Sequence, residues 1–117
     1  MTPVAETGYR RGLFAEKCAA WYLRLKGYDI IAARYRTSVG EIDLVARRAR
    51  HLVFVEVKHR AALEVAAEAV HRRNQARVRR AAELYLQKHP RYTGFDMRFD
   101  AVVMAPGRWP RHIVNAF

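Results

Sequence analysis

Two segments carry charge where a buried strand would be apolar: Gly40-Glu41-Ile42-Asp43-Leu44-Val45-Ala46 and Val53-Phe54-Val55-Glu56-Val57-Lys58. In an extended strand Val53, Val55 and Val57 share one face and Glu56 and Lys58 the other, so a carboxylate and an ammonium stand two residues apart on one surface. If the connection between the segments closes on Ala49 and Arg50, antiparallel pairing sets Asp43 opposite Glu56. Two carboxylates so placed repel each other, and a divalent cation offsets the repulsion. Mg²⁺, or Mn²⁺, takes oxygen ligands and keeps several waters, so Asp43, Glu56, the Val57 carbonyl and solvent make a suitable shell. Lys58 would stabilise charge developing on an attacked phosphate. The chemistry that fits is phosphodiester hydrolysis. By strand parity Glu41 shares the face of Asp43 and could join the metal, cap the preceding turn or pair with Arg36.

The elements that position these residues can be read from periodicity and turn chemistry. Arg10 to Lys26, closed by Gly27, carries Ala15, Cys18, Ala19, Tyr22 and Leu23 at helical spacing, after a polar lead over residues 1–9 that we expect to be flexible. Three β-like runs follow, at Tyr28 to Arg36, Glu41 to Arg47 and His51 to Lys58. The Ala-rich stretch from Arg60 to Ala69 fits either a helical or a mobile connection. A second helix is expected from Val70 to Lys88, ending before Pro90, with Val78, Ala81, Ala82 and Tyr85 on one face and Arg73, Arg77 and Arg80 on another. Two strands complete the chain, at Met97 to Ala105 and Pro110 to Val114. The order is αβββαββ, an α/β layered arrangement within a single domain over residues 1–117.

Charge narrows the partners. Twenty-two Lys and Arg against 11 Asp and Glu give a formal +11, most of it Arg, whose planar fork binds phosphate bidentately. The row Arg73, Arg77 and Arg80 reads as a rail for backbone phosphates, with a solvated outer face as its structural alternative; Arg36 and Arg60 add to the basic surface. No secretory h-region, membrane-spanning run or basic membrane helix is evident, and the single cysteine, Cys18, rules out an internal disulfide and a thiolate cluster. We therefore expect a cytoplasmic protein, with DNA as partner and no membrane. The five histidines lack zinc spacing and read as structural or phosphate-contacting. Trp21, Tyr35, Tyr92 and Trp109 either stack on unpaired bases or pack in the core and rim.

Taken in order, these residues resemble the YraN-like family of small bacterial proteins. The likeness rests on Tyr22-Leu23 with Gly27-Tyr28, Gly40 to Ala46, Phe54-Val55-Glu56-Val57-Lys58 with Arg60, Arg98-Phe99-Asp100, and the ending His112-Ile113-Val114-Asn115-Ala116-Phe117. That family is in turn similar to the PD-(D/E)XK nucleases, in particular Holliday-junction resolvases. The resemblance implies a restriction-endonuclease-like core, a mixed central β-sheet flanked by helices, with Asp43 as the motif aspartate and Glu56 and Lys58 as its Glu-x-Lys. It also implies a metal-site role for Glu16, which the residues alone would leave as a surface glutamate paired with a cation such as Arg11. Gln75 takes the place of an assisting glutamine. Members commonly have Asn within the segment that is Ala33 to Arg36 here, and Lys where this chain has Asn74. The expected activity is a Mg²⁺-dependent endonuclease acting on DNA, branched or single-stranded, by structure rather than sequence, with a homodimer as one possible assembly. The competing expectation is a non-catalytic nucleic-acid-binding or repair-adaptor module on the same fold.

Overall fold

In the computed structural model, the described residues are 4–59 and 72–117, with side chains described from residue 12 and again from residue 75. The first helix, α1 (Val4–Leu25), begins six residues before the expected start at Arg10 and so takes in most of the lead over residues 1–9. Gly8 and Gly12 are carried inside the helix at about 1 kcal/mol each rather than ending it. Gly27, at φ 93°, does end it: the Gly27 and Tyr28 amides bond back to the Arg24 and Leu23 carbonyls.

The sheet follows as β1 (Asp29–Arg36), β2 (Glu41–Arg48), β3 (His51–His59), β4 (Asp96–Met104) and β5 (Arg111–Ile113), in that spatial order. The second helix, α2 (Arg72–Lys88), lies between β3 and β4 in the chain, and a single 3₁₀ turn, Pro90–Tyr92, follows it. β3 and β4 pair in parallel, and the other neighbours are antiparallel. The sheet is therefore mixed and the order is αβββαββ. The expected strand ends shift by a residue or two, and β5 shortens to three residues. The Arg60 to Ala69 connection and the expected helix start at Val70 lie outside the described residues.

Both faces of the sheet are covered. On one, Ala19, Ala20 and Leu23 of α1 pack on Leu44, Ala46, Val53, Val55 and Val102. On the other, Val78, Ala81, Ala82 and Tyr85 of α2 meet Ile42, Val45, Leu52, Phe54 and Phe99. This explains why β3 is apolar at every position from Leu52 to Val55: a strand covered on both sides shows no alternation.

Asp100 on β4 is fully buried among polar groups. Arg98 Nη2 and His112 Nε2 reach its Oδ2 at 2.8 and 2.7 Å, and the Asn115 amide donates to Oδ1 at 3.1 Å. Arg98 also bonds the Tyr28 hydroxyl, and Lys26 Nζ lies 2.6 Å from His112 Nδ1. Burial alone would raise the Asp100 pKa, but the bonds from His112, Arg98 and Asn115 outweigh it and hold the carboxyl below its ordinary value. The segments at Tyr28, Arg98 to Asp100 and His112 to Asn115 thus meet in one clasp that fastens the C-terminal segment to the sheet and the end of α1. His112 is structural.

Candidate functional site

β2 and β3 pair from Arg48↔His51 to Leu44↔Val55, so the turn does close on Ala49 and Arg50, and the pairing ends one step short of Asp43 and Glu56. Alternation breaks at that step. Ile42 packs on the α2 side and Leu44 on the α1 side, although regular pleating would put them together. The neighbouring strand turns over at the same level: Arg34, between partners Ala33↔Leu44 and Tyr35↔Ile42, has φ 53°. Holding a non-glycine residue there costs on the order of 1–3 kcal/mol, and such strain gathers at functional sites. The Asp43 carboxylate consequently reaches toward β3, where its Oδ2 accepts the Val57 amide at 2.8 Å.

Across from it, Glu56 and Lys58 are 5% and 7% exposed. Lys58 Nζ lies 2.7 Å from Glu56 Oε1. Asp43, Glu56, Val57 and Lys58 line one wall of a cleft of about 790 Å³. The opposite wall comes from α2 through Arg77, Val78 and Arg80, and the rim from the β1–β2 turn, Thr37 to Glu41. Burial, with added repulsion from Glu16, Glu56 and Glu41, pushes the Asp43 pKa from 3.8 up to about 7, against the lowering effect of the Val57 amide. An acidic group whose ionisation is opposed this strongly favours an added cation, and the donors facing the cleft are hard oxygens. They suit Mg²⁺ or Mn²⁺. Asp43 and Glu56 form the side-chain part of the set, since among the described residues no group of three or more His, Cys, Asp or Glu could hold a metal ion together.

Gly40 closes the cleft at its turn end. The Thr37 side chain accepts the Val39 and Gly40 amides, and a Cβ at Gly40 would stand 2.5 Å from the Arg77 carbonyl oxygen. The turn can touch the α2 backbone because this residue has no side chain. Gly40→Ala should therefore push α2 away from β2 and destabilise the fold by about 1–3 kcal/mol in urea unfolding. Equal midpoints for variant and wild type would refute the contact.

The other expected site residues separate. Glu41 lines the cleft rim with Asp43 and pairs with Arg36 at 3.4 Å, one of the alternatives that parity left open. Arg36 and half-buried Gln75 do not line the cleft. Arg60 and the Arg73 side chain lie outside the described residues. Glu16 lines a different pocket, under α1, 3.9 Å from Arg34 Nε rather than beside Asp43 and Glu56. Burial raises its pKa, Arg34 opposes the rise, and its charge still reaches Asp43. Glu16 thus lines the pocket under α1, and its charge acts on Asp43 more strongly than that of Glu56 or Glu41. Gly40 and the Asp100 clasp had sequence signals, a turn glycine and an aspartate inside an apolar strand, whose roles needed the fold.

Residues 15–104 match the sequence profile of a family described as "Uncharacterised protein family UPF0102". The chain belongs to UPF0102. Relatives bear out the assignment across nearly the whole length. A "UPF0102 protein" of Methylorubrum extorquens (strain PA1) is 50% identical, covering 100% of this chain and 96% of the relative. One from Nitrobacter winogradskyi is 52% identical over 93% and 92%, and one from Rhodopseudomonas palustris (strain BisB18) is 52% identical over 98% and 85%. UPF0102 is the family that the YraN-like segments pointed to, and the mixed sheet between two helices is compatible with a restriction-endonuclease-like core. Among the described residues no helix is long and apolar enough to cross a membrane.

Proposed function

We propose that this UPF0102 protein is a divalent-metal-dependent endonuclease that hydrolyses DNA phosphodiester bonds, choosing its substrate by shape rather than sequence. The observation that carries this reading is the wall of the cleft: Asp43 and Glu56 from neighbouring strands line it together, with Lys58 at 2.7 Å from Glu56 and Arg77 and Arg80 across the opening. Asp43 and Glu56 would hold the cation, with the Val57 carbonyl and water completing its shell. The cation would supply Lewis-acid polarisation of the phosphate and a more acidic bound water.

The protein's own groups do the rest. Arg77 and Arg80 bind the phosphates on either side of the reacting one, which orients the strand along the cleft without reading bases. The Lys58 ammonium, buried where the dielectric is low, stabilises the negative charge that develops at phosphorus. The Val57 amide fixes the Asp43 carboxylate, so the acceptor does not reorganise during the reaction. Glu16 acts at a distance, its charge adding to the cleft's demand for a cation.

The alternative is a binding or adaptor module without turnover, and it is favoured because, among the described residues, no group of three or more His, Cys, Asp or Glu could hold a metal ion together. The two readings separate when duplex, single-stranded, flapped and four-way DNA are incubated with the protein in Mg²⁺ or Mn²⁺. Cleavage is expected, with Asp43→Ala and Glu56→Ala each reducing it at least ~100-fold. Cleavage that survives both substitutions would sink the site assignment. Binding of all forms without cleavage would establish the adaptor.

A further inference from the structure

We infer that the pocket under α1 takes an unpaired nucleobase, stacked on Trp21, from the same nucleic-acid strand whose phosphates lie in the cleft. This rests on the nucleic-acid reading above and adds a second, base-contacting site to it. The pocket, of about 280 Å³, is open between α1 and the β1–β2 edge. That is just below the range for drug-sized ligands, which suits a single nucleoside. Ala20, Ile30, Ala33 and Leu44 give it an apolar floor and walls. At its mouth stands Trp21, 64% exposed, with the Arg24 guanidinium 5.3 Å from the ring centre.

Three features select a nucleotide over a purely apolar guest. First, Trp21 leaves a large aromatic surface in water at the edge of an apolar hollow, and every base has a π-face to cover it. Second, Lys17, Arg24 and Arg34 surround the opening, which complements a base attached to phosphates and repels a cationic partner, a second copy of this +11 chain included. Third, Glu16 Oε1 is buried and faces Arg34 Nε at 3.9 Å, beyond hydrogen-bond distance, so that it accepts no hydrogen bond among the described residues. A buried acceptor of this kind calls for a donor, and the amino or imino N–H of a base edge provides one.

The two sites are adjacent. Asp43 lines the cleft and Leu44, the next residue, lines the pocket. β1 is the edge strand between them and carries Arg34 and Arg36, so a single strand crossing this edge presents a phosphate to one side and an unstacked base to the other. Such a base is available in junctions, flaps and single strands and absent from intact duplex. The pocket therefore supplies a preference for unpaired DNA that the phosphate contacts of the cleft do not.

The test uses Trp109→Phe protein, in which Trp21 is the sole tryptophan, without divalent cations so that no bond is cut. An oligothymidylate and an abasic strand of the same length carry the same phosphates. The base-bearing strand should quench Trp21 fluorescence and bind about 5- to 150-fold more tightly, the range of one stacked base. Adding Trp21→Ala should bring the ratio to one, and Trp21→Phe should keep part of it. Trp21 is mostly exposed, so its loss spares the core. Equal affinities with unchanged fluorescence would overturn the pocket while leaving the cleft intact. Failure to bind either strand would overturn the nucleic-acid reading itself. Quenching that grows with protein concentration alone would assign the patch to a second copy and refute the base site.

Discussion

Asp43→Asn is expected to make the protein more stable, by an amount that grows as the pH rises from about 4 to about 7 and then levels off. The carboxyl has a folded-state pKa of about 7 against an ordinary 3.8, so the native state holds a proton that the unfolded chain has already released. Stability from this group is complete below the unfolded value and is lost as the pH climbs through the folded one. A shift of this size corresponds to roughly 4 kcal/mol at pH 8. In a domain this small that amounts to a melting-temperature gain on the order of 10 °C. Asparagine keeps an oxygen that can accept the Val57 amide, so the substitution removes charge and preserves the bond. Wild type at pH 8 should also be stabilised by Mg²⁺ or Mn²⁺, because bound cation replaces the lost proton. The variant should not respond, and it should not cleave. Calorimetry at pH 5 and pH 8, with and without metal, checks all of this. A melting temperature that falls equally at both values would show that the carboxylate supports the fold rather than straining it.

Lys58→Met is expected to destabilise by about 3–5 kcal/mol in urea unfolding. It removes the ammonium 2.7 Å from a carboxylate that is 6% exposed, and a buried negative charge without its cation is far more costly than the pair was favourable. Adding Glu56→Gln should recover most of that loss, since the double variant leaves no charge at the level of the pair. Cleavage should stay absent in both. Stability and activity would thus part company: the pair is replaceable for folding and irreplaceable for chemistry. If Lys58→Met alone unfolds no more easily than wild type, the ammonium lies in solvent and not in the cleft wall. If the double variant cleaves, neither charge takes part.

Much of the fold was legible because local signals agreed. Apolar spacing marked both helices, Gly27 and Pro90 marked their ends, and the charged breaks in two apolar strands marked Asp43, Glu56 and Lys58. The two-residue turn at Ala49 and Arg50 then set the register of the hairpin, which pairs as far as Leu44 and Val55. Strict parity breaks between Ile42 and Leu44, which pack on opposite faces, and for a definite reason. The rule assumes regular pleating, and β1 and β2 turn over together at Arg34 and Asp43. A left-handed backbone at an arginine leaves no trace in residue type.

By itself, then, the sequence determined the element order, the register of the central hairpin, the basic surface and three of the charged residues on the cleft wall, since each follows from spacing along one strand or helix. Only the tertiary structure decided that Glu16 lines a second pocket beside Arg34 while its charge reaches Asp43, that Gly40 is the contact between the turn and α2, and that Asp100 gathers Arg98, His112 and Asn115 around a buried charge. Those outcomes depend on which side of the sheet each helix covers and on how closely backbones approach across it. They are set by packing between segments distant in the chain, to which local periodicity is blind.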